Sequence, residues 1–142
     1  MVTEMGFFSS LFGSNKTEAT KIIGLLDVMA AINAHVLWKI RLEKYMNGTS
    51  EEALDPKVIC RDDQCTLGKW IHGPAHDHFK GDDGFNVLRD DHAQFHIIAS
   101  QVVSKVQEND KAAAEMLMKD EYMKASRKVV KDLTVLSKQL LT

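Results

Sequence analysis

The sequence is that of one small, slightly acidic domain, and its composition excludes several classes of protein. Its 142 residues carry 18 Lys or Arg against 20 Asp or Glu, so no excess positive charge favours nucleic acid or an anionic membrane surface as a partner. Two cysteines are too few for a disulfide framework, and no apolar run approaches the roughly 20 residues of a membrane-spanning helix. We therefore expect a cytoplasmic domain whose hydrophobic core is large enough to fold without disulfide bonds.

A short aromatic leader, residues 1–16, begins the chain, and we expect it to be either a flexible tail or a docking segment. Its stretch Met5-Gly-Phe-Phe-Ser-Ser-Leu-Phe12 is too short and too broken for a secretion signal. Glu4 also stands where such a signal would carry a basic residue. The helical domain is expected to cover residues 17–142.

The first long helix is predicted from about 17 to 46, where apolar side chains recur every three or four residues. Thr17 and Thr20 can begin this helix. The pair Asn47-Gly48 tolerates left-handed backbone and is expected to end it. The predicted core-facing positions are Val28, Ala31, His35, Trp38, Leu42 and Tyr45.

The rest of the chain predicts an irregular segment followed by two more long helices. Residues 49–81 are rich in Gly, Pro and Asp and are expected to hold one or two short helices, one of them carrying Cys65–Ile71. The helix after Asp82-Asp83-Gly84 has the apolar stripe Phe85, Leu88, His92, Phe95, Ala99, Val102 and Val106. After a break at Asn109-Asp110, a last helix over about 110–141 is predicted to bury Ala113, Met116, Met123, Val130, Leu133 and Leu140. Three long helices and a broken fourth predict an all-α fold, an antiparallel up-down four-helix bundle.

Three histidines and one cysteine form the pattern that indicates chemistry. His92 and His96 are four residues apart on a predicted helix, so their rings leave the same side, one turn apart. His35 lies on the apolar side of the first helix, and Cys65 opens a compact segment that ends near Trp70. One thiolate and three imidazoles make a full tetrahedral set for zinc, spaced His-x29-Cys-x26-His-x3-His. We predict that these four residues bind Zn²⁺.

Other cofactors fit the sequence less well than zinc. A di-iron bundle uses a Glu-x-x-His motif, and no histidine here has a Glu three residues before it; the Cys-x-x-Cys-His of a c-type haem is also missing. Copper and nickel stay open, because both match or exceed zinc in affinity for such ligands. Four protein ligands would leave no open position for a catalytic water, so we expect no enzyme. The zinc is then either structural or sensory, and its single thiolate is open to oxidation by peroxide or hypochlorous acid.

Some neighbouring residues allow more than one interpretation. Three histidines lie around Gly73-Pro74, namely His72, His76 and His78. They either form a second, weaker metal site, pass metal inward to the first site, or are merely solvated. Cys60 either pairs with Cys65 when metal leaves or is a small buried thiol. Asp90 and Asp91 adjoin His92 and are candidate acceptors for an imidazole N–H.

Three motifs carry a resemblance to a known family. The segments Ala34-His-Val-Leu-Trp-Lys39, Cys65-Thr-Leu-Gly-Lys-Trp-Ile71 and His92-Ala-Gln-Phe-His96 resemble the chemoreceptor zinc-binding (CZB) domain. That family shows a His-x-x-Trp helix, a Cys-x-Leu-Gly-x-Trp segment and a His-x3-His pair, and the resemblance covers about 17 to 141. It implies an α-helical bundle, usually a homodimer, that binds zinc through three histidines and one cysteine. Matched by position, these are His35, Cys65, His92 and His96.

The resemblance also implies a role in signalling. Family members commonly regulate a fused methyl-accepting chemoreceptor or diguanylate cyclase, and they sense either zinc or hypochlorous acid at the zinc-bound cysteine. This chain shows no long receptor hairpin and no cyclase domain, so we expect a stand-alone module whose output runs through a homodimer or a signalling-protein partner of such a pathway. The alternatives are a structural interaction module with a permanent zinc and a zinc or redox buffer.

Overall fold

The computed structural model describes residues 17–141, and every regular element in that range is helical. The leader, residues 1–16, lies outside the described residues. The helices are α1 (Thr17–Gly24), α2 (Val28–Met46), α3 (Pro56–Ile59), α4 (Thr66–Ile71), α5 (Pro74–Phe79), α6 (Asp83–Gln107), α7 (Lys111–Leu117) and α8 (Met123–Leu141). A π-helical turn, Met118–Tyr122, joins α7 to α8. The all-α prediction is confirmed, and the up-down four-helix arrangement stays a prediction.

Short polar side chains fix where the helices begin and end. The carboxylates that accept a backbone N–H at a helix start are those of Asp27, Asp55, Asp82 and Asp110, which begin α2, α3, α6 and α7. The predicted end of the first long helix is confirmed, because Asn47 follows its last residue and Gly48 has a φ of 73°.

The predicted single helix over 17–46 is wrong, because α1 and α2 are separate helices that meet at an angle of 42°. Asp27 has extended backbone, and its carboxylate accepts the backbone N–H of Ala30. This local hydrogen bond starts a new helix at Val28 and competes with continuation of α1. The indole N–H of Trp70 donates to the carbonyl of Ile22 at 2.8 Å and satisfies an acceptor near the end of α1. In the described range no single helix is long and apolar enough to cross a membrane, although the bent pair α1–α2 passes that test of length and composition.

Helix α6 lies at the centre of the core and packs against α2, α3, α7 and α8. The predicted stripes on α2 and α6 are confirmed, since their residues are buried or half-buried. The segment between these helices holds three short helices, one more than expected. Cys65 stands immediately before α4 as its N-cap, not inside the helix.

The register predicted for the last helix is wrong at one of its described positions, since Ala113, Met123 and Val130 are half-buried. Met116 was expected in the core and is 72% exposed, whereas Leu133 is buried as expected. The side chains that this part of the chain buries are Ala114, Met118, Tyr122, Ala125, Val129, Leu133 and Leu136. The sequence carries two overlapping apolar patterns here. The buried pattern recurs every three or four residues through the π-helical turn, so Met118 and Tyr122, four residues apart, share the core-facing side. The side chain of Leu140 lies outside the described residues.

Candidate metal centre

The structure brings together the four side chains that the sequence indicated. One nitrogen or sulfur atom from each of His35, Cys65, His92 and His96 lies within 4.8 Å of all the others. The Cys65 Sγ is 3.3 Å from the Nε2 of His92 and 3.6 Å from the Nε2 of His96, and these two nitrogens are 3.1 Å apart. The three histidines are buried and Cys65 is half-buried. Within residues 17–141 no other cluster of three or more such side chains is arranged to hold a metal ion.

Three elements of the fold contribute to this cluster. Helix α6 presents His92 and His96 one turn apart with ring centroids 4.6 Å from each other, as their spacing predicts. Helix α2 brings His35 edge-on to His92, at 5.2 Å between ring centroids. Cys65 enters from the loop before α4, so a metal ion here would connect two long helices to the irregular segment.

The Cys-x-Leu-Gly-x-Trp segment is built to present the sulfur atom. Cys65 Sγ accepts the backbone N–H of Gly68 at 3.3 Å and thereby caps α4. A Cβ at Gly68 would overlap the backbone carbonyl of Asp62, so only glycine allows the loop to fold back this closely. Leu67 and Trp70 are buried and anchor the other side of α4 in the core.

Two of the histidines aim a lone pair at the centre of the cluster. His35 Nδ1 donates to the carbonyl of Ala31 at 2.7 Å, and His96 Nδ1 donates to that of Ile59 at 3.0 Å. Because a carbonyl only accepts, the proton of each neutral ring is on Nδ1 and the Nε2 carries a free lone pair. The buried His35 Nε2 has no hydrogen-bond partner among the described residues. Inward lone pairs with outward N–H groups are the arrangement that metal-binding histidines adopt, so the donor set fits a cation.

The electrostatics of the cluster keep the histidines neutral. Burial lowers the pKa of His35 and His96, although the backbone hydrogen bond of each ring opposes the effect. Burial, with repulsion from His96 and His35, lowers the pKa of His92 to about 2. Burial also raises the pKa of the Cys65 thiol, and the N–H of Gly68 partly offsets this. A divalent cation would favour the thiolate form of Cys65. Three neutral imidazoles and one thiolate would therefore be present together only when a cation is bound.

A cleft of about 390 Å³ reaches the sulfur side of the cluster. Cys65 and His96 line it, and Trp38 and Arg41 stand on its wall. The Arg41 guanidinium lies 3.8 Å from the centroid of the Trp38 ring and donates to both carboxylate oxygens of Glu52 at 2.6 and 3.1 Å. A small molecule therefore has a route to the half-buried sulfur between ordered side chains.

The structure does not gather the other three histidines into a second site. His72 Nε2 contacts Asp62 Oδ2 at 2.8 Å, and His76 Nδ1 contacts Asp77 Oδ1 at 3.4 Å. His78 packs on the neighbouring Phe79 ring, with 4.6 Å between ring centroids. Of these histidines only His72 reaches toward the cluster, and it does so through Asp62.

Two expectations about neighbours of the ligands are wrong. Cys60 is exposed and not a buried thiol. Asp90 pairs with an arginine and Asp91 interacts with Asp132 of α8, so neither accepts from a ligand histidine. The carboxylate nearest to such a role is that of Asp62, whose Oδ2 is 3.9 Å from His92 Nδ1. Sequence reasoning missed it because it lies 30 positions before His92 in an irregular loop, where spacing carries no signal.

Comparison with known families agrees with this geometry. Residues 35–103 match the model of the chemoreceptor zinc-binding domain, a stretch that begins at His35 and includes the other three members of the cluster. No curated protein and no solved structure matches the chain.

Proposed function

Through residues 35–103 the chain belongs to the chemoreceptor zinc-binding domain family, and from this premise we propose that it is a cytoplasmic zinc-binding sensor module. The proposed ligands are His35, Cys65, His92 and His96. The observation that carries the proposal is the convergence of their donor atoms within 4.8 Å, with lone pairs aimed inward and outer N–H groups already bonded on two of the rings.

Zinc is the proposed metal because the family is defined by it and because it favours tetrahedral sets of imidazole and thiolate. When bound, it supplies a redox-inert divalent charge that holds the thiolate and the imidazoles in one shell. We also propose that the protein is not an enzyme, since four protein ligands leave no position for a reacting water.

Sensing is proposed from the way the ligands are distributed. Cys65 is the one ligand from the irregular segment, it is half-buried, and the cleft of about 390 Å³ reaches its sulfur. Hypochlorous acid converts a thiolate to a sulfenic acid and releases chloride, which would remove the softest of the four ligands. Loss of zinc or oxidation of Cys65 would then free the loop before α4 from the two long helices. The signal is a shift between two packings of this loop.

The homodimer is proposed from the outer face of α2. Helix α2 buries His35 on one side, yet its other side exposes Met29, Val36, Leu37 and Ile40 at 65, 51, 53 and 46%. Leu25, at the bend before α2, is also exposed, at 69%. Large apolar side chains grouped on an exposed helix face are typical of an interaction surface, and a second copy of the chain would cover this one. A chemoreceptor or diguanylate cyclase pathway as the source of the output partner stays a prediction from the family.

The zinc site is tested by elemental analysis of the protein purified without added metal. We expect about one zinc per chain in the wild type and in Cys60→Ser, and a loss of that zinc in Cys65→Ser and His96→Ala. Cys60→Ser is the matched control, because Cys60 is exposed and outside the cluster. Zinc that survives both ligand substitutions would reject the site, and with it the proposed function.

A permanent structural zinc is the second candidate, and the deep burial of the three histidines favours it. Hydrogen exchange with and without zinc separates it from a sensor. A sensor requires amide protection over residues 60–75 to fall when zinc is removed while α6 stays protected. Equal protection in both states would reject the switch. Zinc affinity gives a second criterion, because a sensor must exchange metal near the free zinc level of its cell.

A further inference from the structure

We infer that Asp62 is the hydrogen-bond partner that positions the ligand His92 from outside the metal shell, and that His72 holds Asp62 in place for this role. The inference rests on the proposed zinc site and adds two positioning residues to it. Neither residue belongs to the proposed ligand set.

The first step is that His92 lacks what the other ligand histidines have. The Nδ1 atoms of His35 and His96 donate to backbone carbonyls, which fixes each ring and leaves Nε2 free. His92 Nδ1 is buried and has no hydrogen-bond partner among the described residues. Metal-binding histidines almost always donate their second N–H to a carbonyl or a carboxylate, and a buried N–H without an acceptor is costly. His92 therefore needs an acceptor at Nδ1.

Asp62 is the acceptor that the fold supplies. Its Oδ2 lies 3.9 Å from His92 Nδ1, about 1 Å beyond the length of a hydrogen bond, so the carboxylate would have to rotate toward the ring to accept its N–H. The backbone of Asp62 is held against the glycine of α4, so its side chain stays beside the cluster. A proton on His92 Nδ1, facing this carboxylate, leaves Nε2 as a lone pair directed at Cys65 and His96.

Charge balance supports the same assignment. Three neutral imidazoles and one thiolate carry a charge of −1, so a divalent cation among them leaves an excess of +1 in a buried site. The carboxylate of Asp62, only 24% exposed, supplies the second negative charge. Buried net charge is unfavourable, and an adjacent opposite charge offsets it.

His72 connects Asp62 to the helix that carries the cysteine ligand. His72 follows the last residue of α4 as its C-cap, at the opposite end from Cys65. Its Nε2 contacts Asp62 Oδ2 at 2.8 Å, the same oxygen that faces His92. Both ends of α4 are thereby tied to the cluster, one through Cys65 and one through the pair His72–Asp62. Without His72 the carboxylate would be free to turn toward solvent.

Competition of the full-length protein with a chelator of known zinc affinity tests this inference. We expect Asp62→Asn to bind one zinc per chain, roughly 10- to 100-fold more weakly than wild type. Asp63→Asn makes the same change of charge one position away, on a carboxylate that pairs with Arg61 outside the cluster, and its affinity should stay within about twofold of wild type. His72→Ala should weaken binding, whereas His72→Gln keeps an N–H donor and should restore it. The double variant Asp62→Asn/His72→Ala should bind no more weakly than Asp62→Asn alone, because His72 acts through Asp62.

Cobalt(II) in place of zinc gives a readout that a purely structural role would not move. The visible absorption bands of bound cobalt should shift in Asp62→Asn and stay unchanged in Asp63→Asn. Equal affinities and spectra for these two variants would overturn the inference and leave the zinc site standing, whereas a wild type that binds no zinc would reject the proposed function itself. If Asp62→Asn does not fold, the pair His72→Ala and His72→Gln decides, and equal zinc affinities for these two overturn the inference.

Discussion

Gly68 lies so close to the backbone carbonyl of Asp62 that the first atom of any side chain would overlap it. The same glycine donates its N–H to Cys65 Sγ at 3.3 Å. One residue therefore fixes both the sulfur that would bind zinc and the loop whose carboxylate faces His92. The glycine of the family motif is thus required by the packing of backbone against backbone.

From this contact we predict that Gly68→Ala damages the metal site before it damages the rest of the fold. The added methyl group must push the loop away, which overpacking data place at about 1–3 kcal/mol in the free energy of unfolding. Zinc affinity should fall as well, because the shift separates Cys65 from α6. Urea unfolding and chelator competition measure the two effects. Gly81→Ala, where a Cβ would meet nothing within 4 Å, is the control and should leave zinc affinity unchanged.

The outer face of α2 carries the second prediction. Val36→Glu and Ile40→Glu each place a charge on the exposed apolar face, and each should shift the protein from dimer to monomer in light scattering coupled to gel filtration. Val87→Glu is the matched control, because Val87 is 49% exposed but belongs to α6 and not to α2. A wild type that is monomeric at high micromolar concentration would contradict the proposed homodimer.

A carboxyl pair between α6 and α8 gives the third prediction. Burial, together with the hydrogen bond to Asp91 and repulsion from it, raises the pKa of Asp132 to about 7. The unfolded carboxyl ionises near pH 4. The folded state therefore holds a proton that the unfolded state has lost, so this residue makes the protein less stable as the pH rises from about 4 to about 7.

Asp132→Asn should remove that loss, so that the variant exceeds wild type in unfolding free energy at pH 8 and approaches it at pH 4. Subtracting the two pH profiles cancels the contribution of the histidines, which is common to both proteins. Asp120→Asn is a control on the exposed surface, where the carboxylate pairs with Lys124, and it should not show this pH-dependent gain. A constant difference between wild type and Asp132→Asn across this range would be inconsistent with a raised pKa.

The three histidines of the cluster could be predicted from the sequence because helical periodicity places them. His92 and His96 share one face of a long helix, and His35 lies on the apolar stripe of another, so both stripes point into one core. Cys65 was indicated by its motif and not by periodicity. Where a helix is long and regular, the spacing of its side chains already contains the geometry of a site.

Features that depend on contacts distant in sequence could not be predicted in this way. The break between α1 and α2 involves Trp70, whose indole bonds to a carbonyl 48 residues earlier. The position of Asp62 depends on a backbone contact in an irregular loop. Two apolar patterns overlap around Met116, and packing of α7 against α6 decides which of them is buried. In each case the deciding interaction is tertiary and overrides the local preference.

The last prediction separates the demands of metal binding from those of folding. His35 Nε2 is a buried polar atom with no hydrogen-bond partner among the described residues, and burial lowers the pKa of the ring. Because unfolded histidine binds a proton below about pH 6.5 and the buried ring resists it, the metal-free protein should lose stability as the pH falls through that range. His35→Leu removes the polar atom and the titrating group at nearly constant volume.

We therefore expect His35→Leu to lose zinc binding and yet to be at least as stable as the metal-free wild type, with the larger advantage at pH 5.5 than at pH 8. Urea unfolding of both proteins in the presence of a chelator measures this. Leu42→Ala on the same helix, at a fully buried apolar position, should instead destabilise the metal-free protein by about 2–5 kcal/mol at both pH values. If His35→Leu destabilises the metal-free protein as Leu42→Ala does, the histidine serves the fold and its burial is no sign of a ligand. If the two variants separate as expected, this position is kept polar for a cation and against the preference of the core around it.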